Sequence, residues 1–317
     1  MRLIFIALLT ATFHFSFSQS NRAHGVSYER NDDKSVTFTY NGETSGTTYV
    51  VLKFKQLTNS TAPNEIRTNV NGFSGILTTL YPTNSKEHIS FSYSYRPIMG
   101  DINAKPNHNF KYVLPFKNGK EVMVRHLSFL GERMGGKKPK NWASFQFLVK
   151  PNDTVCAIRK GVVVNIIDGN AASNKAEYGY KNKSNSMLVE HDDGTIASYG
   201  VLKKNSFMVE VGDMVYPSTP LAIAGTYDKA ENSQLRLSIF YLDKVVKDYN
   251  FDNRVKETYA TRTNLYAYVN PMFVINSDGS GFQNLEKNQA YTSFYNEGLI
   301  QAEMTKREKK KYLKRKK

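Results

Sequence analysis

The sequence predicts an all-β protein: a small N-terminal β-sandwich domain, a larger antiparallel β core, and a short basic C-terminal helix. Apolar residues recur at every second position in several runs, and Gly, Asp and Asn clusters punctuate those runs at short intervals. The single cysteine, Cys156, rules out an intramolecular disulfide, a zinc ribbon and an iron–sulfur site. Buried apolar area must therefore hold the fold together.

Taken in order, residues 1–18 read as a secretory signal peptide: Arg2, an apolar stretch over 3–17, and a small-x-small exit at Ser16-Phe17-Ser18. The mature chain is expected to be exported, to a periplasm or outside the cell. Residues 19–97 form the N-terminal β domain. Val36, Phe38 and Tyr40 alternate with polar neighbours, 49–54 is a strand-like run, and 72–80 is a further strand candidate. In 88–96, Ile89, Phe91, Tyr93 and Tyr95 alternate with His88, Ser90, Ser92 and Ser94, the pattern of a half-buried strand. Residues 98–109 are turn-rich and read as a linker.

The core spans 110–276. Strand-like runs at 112–116 and 121–129 flank Lys117-Asn118-Gly119-Lys120, a hairpin signal. Strands are then expected at 143–149, 154–158, 161–167, 186–190, 195–202, 207–211, 221–224 and 234–242, and a last one at 270–274. Cys156 reads as a small buried hydrophobe. A long polar loop covers 168–184, and 243–264 is a charged insertion of undefined structure. In the C-terminal segment 277–317, Leu299, Ile300, Ala302 and Met304 among dense Lys and Glu favour a helix.

The 317 residues are 40% hydrophobic, enough for one large or two ordinary domains, and carry a net charge of +15. The tail accounts for +8 of it through Lys306, Arg307, Lys309, Lys310, Lys311, Lys314, Arg315, Lys316 and Lys317, against Glu308. Such a tail suits an anionic surface. Export argues against nucleic acid as the partner.

Several segments in order and spacing resemble the M23 (LytM/lysostaphin-like) metallopeptidase core. They are Phe145-Gln146-Phe147, Thr154-Val155-Cys156-Ala157, Gly161-Val162-Val163, Glu190-His191-Asp192-Asp193-Gly194-Thr195 with Ser198-Tyr199, Val211-Gly212-Asp213-Met214-Val215, and Leu221-Ala222-Ile223-Ala224-Gly225. Tyr112-Val113-Leu114-Pro115-Phe116 resembles the lead-in of members with an extra N-terminal β domain. The resemblance covers about 110–274. It implies an M23/LytM-like antiparallel core and, for an intact member, zinc held by His, Asp and His with water in the fourth place. The metal activates that water for amide hydrolysis, and two further His assist.

Carried over position by position, the ligand Asp falls on Gln146. The first ligand His falls on Trp142, or on Pro139 where the turn is longer. The assisting His falls on Val201, and the H-x-H pair on Gln234 and Arg236. A neutral amide is a poor zinc ligand, and Arg236 is a fixed cation that would repel a dication. The expectation is that no zinc binds, that no cofactor is needed, and that Arg236 takes over the cation's structural role by hydrogen-bonding Gln146 and Gln234. Gln146, His191, Tyr199, Gln234 and Arg236 are the candidate groove residues.

Nothing else rebuilds a site. Of the mature chain's histidines (His24, His88, His108, His126 and His191) no two lie within five residues of each other, which excludes H-x-H and H-E-x-x-H. His191 reads as a strand-end residue beside an Asp-Asp-Gly turn, and His126 as a groove-edge residue. P-loop, G-x-S-x-G and Rossmann patterns are absent. The leading expectation is a non-catalytic M23 homologue that binds or scaffolds at the cell wall, with peptidoglycan or a cell-envelope protein as partner and regulation of wall hydrolases as a role the resemblance permits. The rivals are an active zinc endopeptidase with a rearranged site, and a structural or adhesive β protein.

Overall fold

The computed structural model describes residues 24–170, 184–226, 233–278 and 280–315. The signal-peptide segment, most of the 168–184 loop, and Lys316 and Lys317 lie outside the described residues.

Six strands build the N-terminal unit: β1 (Gly25–Arg30), β2 (Val36–Asn41), β3 (Thr47–Thr58), β4 (Glu65–Asn71), β5 (Ser74–Leu80) and β6 (Ser90–Met99). They form two antiparallel three-stranded sheets, ordered β1-β2-β5 and β4-β3-β6. Val36, Phe38 and Tyr40 of β2 face Val50, Leu52 and Phe54 of β3 across the sandwich core. Phe38 meets Phe54 edge-on at 5.3 Å. Leu52 is fully buried, a contribution of roughly 1.5–3 kcal/mol.

β3 is buried on both faces. Tyr49 and Val51 point away from the sandwich core and join Ile98, Ile102, Leu242, Val246 and Phe251 in a second cluster. That double burial explains why 49–54 reads as a continuous apolar run instead of an alternating one. Along β6 the alternation holds at Phe91 and Tyr93 but breaks at Tyr95, which is 41% exposed. Tyr95 reaches the end of the sandwich, where its ring covers Gly25. A Cβ at Gly25, whose φ is +121°, would overlap the Tyr95 hydroxyl.

The expected linker at 98–109 is tied into the structure. Ile98 and Met99 complete β6, and Ile102 and Ala104 are buried. The insertion at 243–264 contains two 3-10 helices, Lys244–Lys247 and Phe251–Lys256, capped by the side chains of Asp243 and Asn250. Arg67 of β4 clamps them. Its Nη1 donates to the carbonyls of Val246 and Lys247 at 2.8 Å each, and its Nη2 to Tyr249 at 2.9 Å.

The core strands follow as β7 (Lys111–Tyr112), β8 (Glu121–His126), β9 (Ser144–Val149), β10 (Thr154–Cys156), β11 (Gly161–Ile167), β12 (Asn185–Glu190) and β13 (Ile196–Leu202). Next come β14 (Met214–Val215), β15 (Pro220–Ile223), β16 (Gly225–Thr226), β17 (Ser233–Leu242), β18 (Tyr266–Val269), β19 (Met272–Val274), β20 (Phe282–Asn284) and β21 (Gln289–Thr292). A ten-stranded sheet runs β14-β11-β12-β13-β17-β9-β8-β21, with β16 and β18 also paired to β17.

Three strand expectations need correcting. Residues 112–116 and 121–129 do not form a hairpin: β7 pairs in parallel with β19, and β8 pairs with β9 and β21. The reason is burial, since Leu114 and Phe116 are fully enclosed and Phe116 packs on Phe147 at 5.5 Å. Residues 207–211 are a loop whose Phe207 and Val209 pack against the core. The strand at 272–274 is not the last, because β20 and β21 follow.

The C-terminal helix is in fact two, α1 (Glu297–Gln301) and α2 (Lys306–Arg315). Asn296 caps the first. Thr305 and Glu308 form a reciprocal capping box on the second, with the Thr305 amide on Glu308 Oε2 at 2.6 Å and the Glu308 amide on Thr305 Oγ1 at 3.3 Å. Among the described residues no helix is long and apolar enough to cross a membrane.

Replacing Arg67 by Met removes three hydrogen bonds that hold the insertion. Amide exchange over 244–256 is expected to quicken at least tenfold while β3 stays protected. Unchanged exchange there would show that the apolar cluster alone fixes the insertion.

Candidate functional site

The central strands bring the sequence-selected residues together by register. Gly200 of β13 lies opposite Arg236 of β17, which lies opposite Gln146 of β9. The next row over is Ser198, Ser238 and Ser144. Because side chains alternate, these rows occupy one face while Leu235, Leu237 and Ile239 fill the core behind.

Gln146 Nε2 donates to Gln234 Oε1 at 2.8 Å, and Arg236 Nε donates to the same oxygen at 3.3 Å. Gln234 is therefore the hub: it accepts from both, and it is 6% exposed. A cavity of about 1080 Å³ opens over Arg236 and the serine row. One wall is the segment from His126 to Trp142, and another comes from Tyr259, Arg262 and Asn264.

The remaining family positions are structural. Trp142 Nε1 donates to the Leu127 carbonyl at 2.9 Å, and its ring packs edge-on against Phe129 and Tyr268 at 5.1 and 4.6 Å. Pro139 is buried, and its carbonyl accepts from the Trp142 amide. Val201 is the extra residue of a bulge between β12 and β13 and has φ +65°. A β-branched residue in that left-handed region stores strain of about 1–3 kcal/mol. Gly225 presses on the same bulge, and a Cβ there would come within 3.0 Å of the Val201 carbonyl.

Of the five candidate groove residues Arg236 lines the cavity; Gln146 and Gln234 lie beside it outside the lining, and Tyr199 and His191 lie elsewhere. Tyr199 lies between Ser198 and Gly200 and so faces the core. It is fully buried, and its hydroxyl accepts from the Ile158 amide at 3.1 Å. Burial pushes its phenol pKa up. His191 is 3% exposed at the foot of the 191–195 hairpin turn and does not line the cavity. His126 does line it, with Nε2 2.8 Å from the Leu285 carbonyl.

The strongest electrostatic feature was missed by motif reading. Arg159, 3% exposed, holds Asp193 Oδ2 through Nη1 at 2.7 Å and grips Glu303 through Nε and Nη2. Its guanidinium lies 3.9 Å from the Phe110 ring centroid. Lys160, 7% exposed, is 3.4 Å from both Asp192 and Glu308. The C-terminal segment is thus fastened to the β12–β13 turn by ion pairs. The available signal was Arg159-Lys160 interrupting an apolar run from Val155 to Val164, because buried cations require partners.

His191 sits under this cluster. Its Nδ1 is 2.8 Å from the Lys160 carbonyl, which suits a donated hydrogen, and its buried Nε2 has no hydrogen-bond partner among the described residues. Burial, reinforced by the charge of Arg159, lowers its pKa to about 4. For Asp193 burial acts upward, but the Thr195 hydroxyl and Arg159 outweigh it and hold the carboxyl at about 2. Hydrogen bonding by the Thr305 amide holds Glu308 at about 2 as well.

No protein-family model matches the chain, and no curated protein matches it in sequence. Solved structures do resemble it. An M23 metalloprotease, pseudoalterin, from the deep sea is 13% identical over 59% of this chain and 97% of its own, with a TM-score of 0.29. A zinc-containing peptidase from Vibrio cholerae is 10% identical over 65% of this chain and 74% of its own, also at 0.29. Csd3 from Helicobacter pylori is 12% identical over 89% of this chain and 78% of its own, at 0.27. At such TM-scores the similarity assigns neither a family nor an activity. Among the described residues, no group of three or more His, Cys, Asp or Glu is placed to hold a metal ion.

Acid should loosen the cluster in two stages. His191 is neutral when folded but titrates near 6.5 when unfolded, so stability is expected to fall between about pH 6.5 and 4. Asp193 and Glu308 have depressed pKa values, so their contribution is lost below about pH 4, down to about 2. Urea titrations across pH should show both slopes, and His191→Gln should flatten only the upper one.

Proposed function

We propose that this chain is an exported, non-catalytic relative of the M23 peptidases whose groove binds at the cell wall and does not cut. The observation that carries this reading is the hydrogen-bonded set Gln146, Gln234 and Arg236. At the positions the resemblance assigns to the ligand Asp and to the H-x-H pair of one ligand and one assisting His, two amides and a guanidinium hydrogen-bond through one oxygen. That donor set does not fit zinc. A metal there would displace the hydrogen bonds on Gln234 and face the fixed positive charge of Arg236. Val201 supplies no lone pair, and the indole nitrogen of Trp142 is engaged as a donor.

The groove that remains is large enough for a peptide segment or a short stretch of wall polymer. Peptidoglycan or a cell-envelope protein is the proposed partner, with the basic tail adding attraction to an anionic surface. A role in regulating wall hydrolases belongs to the same reading. The resemblance and the basic charge of the tail support it.

Purified protein is expected to hold well under one zinc per chain, to release no muropeptides from sacculi, and to sediment with them. Arg236→Glu should reduce that sedimentation severalfold. Chelator-sensitive release of muropeptides would refute the proposal.

A further inference from the structure

The charge and chemistry of the groove lining point to one kind of occupant. Arg133, Lys137, Arg236 and Arg262 all line the cavity, and among the described lining residues there is no Asp or Glu. Arg133, Lys137 and Arg262 are exposed. On the floor, the hydroxyls of Ser144, Ser198 and Ser238 sit in register on three adjacent strands. Each line of this set can donate hydrogen bonds, and the cations can only donate. Such a lining favours a ligand rich in acceptors, above all carboxylates or phosphates.

The walls discriminate between those two. Leu130 is 44% exposed and Met134 61% exposed, and both line the same cavity beside Phe129 and Trp142. Aliphatic and aromatic side chains facing a basic floor suit a ligand that offers apolar groups between its charges. A peptide with alternating acidic and aliphatic side chains does so, whereas a phosphate polymer has none to offer.

We infer that the groove is a docking site for an acidic peptide segment, held by its carboxylates on Arg133, Lys137 and Arg262 and by its aliphatic side chains on Leu130 and Met134. This rests on the reading that the groove binds without cutting, and it adds the chemistry of what is bound. The basic tail lies outside the cavity lining and takes no part.

The test is fluorescence anisotropy with the full chain and a labelled octapeptide of alternating Glu and Leu, compared with its Gln-and-Leu counterpart. The acidic peptide should bind at least tenfold tighter, with the difference shrinking in high salt. The double variant Arg133→Gln with Arg262→Gln should lose tenfold or more. Both residues are exposed, so an unchanged melting curve separates lost binding from lost folding. A tail variant, Lys309→Gln with Lys310→Gln and Lys311→Gln, should bind as the unaltered protein does. Equal affinity for the two peptides, loss of binding only in the tail variant, or tighter competing binding of polyphosphate would overturn the inference. Peptide binding without retention on sacculi would instead remove the wall-binding reading and leave this one standing.

Discussion

The site of the larger unit depends on the alternation along β17 from Leu235 to Ile239. Leu235, Leu237 and Ile239 go into a dry core, while Arg236 and Ser238 turn to the cavity on the other face. A slip of one residue would bury a guanidinium and expose three large aliphatic side chains. β17 has β13 on one side and β9 on the other, and both pairings repeat the same division. The arrangement of Gln146, Gln234 and Arg236 is therefore a product of register, and it persists as long as the core does.

The same alternation determined how much was legible in the sequence. It marks β2 and most of β6, because each has one more buried and one more exposed face. Gln234 and Arg236 are legible through the family spacing, and β17 puts both on one face. Parity along β13 excludes Tyr199 from the cavity, since it stands between Ser198 and Gly200, although motif spacing includes it. The false hairpin at 117–120 has a different cause. Leu114 and Phe116 alternate like a strand, yet they are swallowed by the core without pairing to β8. Only tertiary packing decides that. The walls of the cavity come from segments more than a hundred residues apart, so no local pattern could have joined Arg133 to Arg262.

Burial of Arg159 adds a second kind of constraint. A desolvated guanidinium is tolerable only with its donors satisfied, and here Asp193, Glu303 and the face of Phe110 surround it. Removing both carboxylates would leave a buried charge without compensation, a loss of about 3–5 kcal/mol in comparable buried pairs. The cluster thus adds specificity of placement more than net stability. It also explains the fate of His191: buried, and with Arg159 beside it, the imidazole is held neutral down to about pH 4.

Glu303 and Glu308 stand on either side of the start of α2, and both are gripped by the turn-bearing unit. The positive residues that follow are consequently mounted on a short stiff boom, not on a slack tether. A slack tether would add adhesion in any direction. A boom clamped at its root transmits attitude: once its charges settle on a surface, the tilt of the whole sheet above that surface is set. The direction of the cavity mouth would then be dictated by two glutamates.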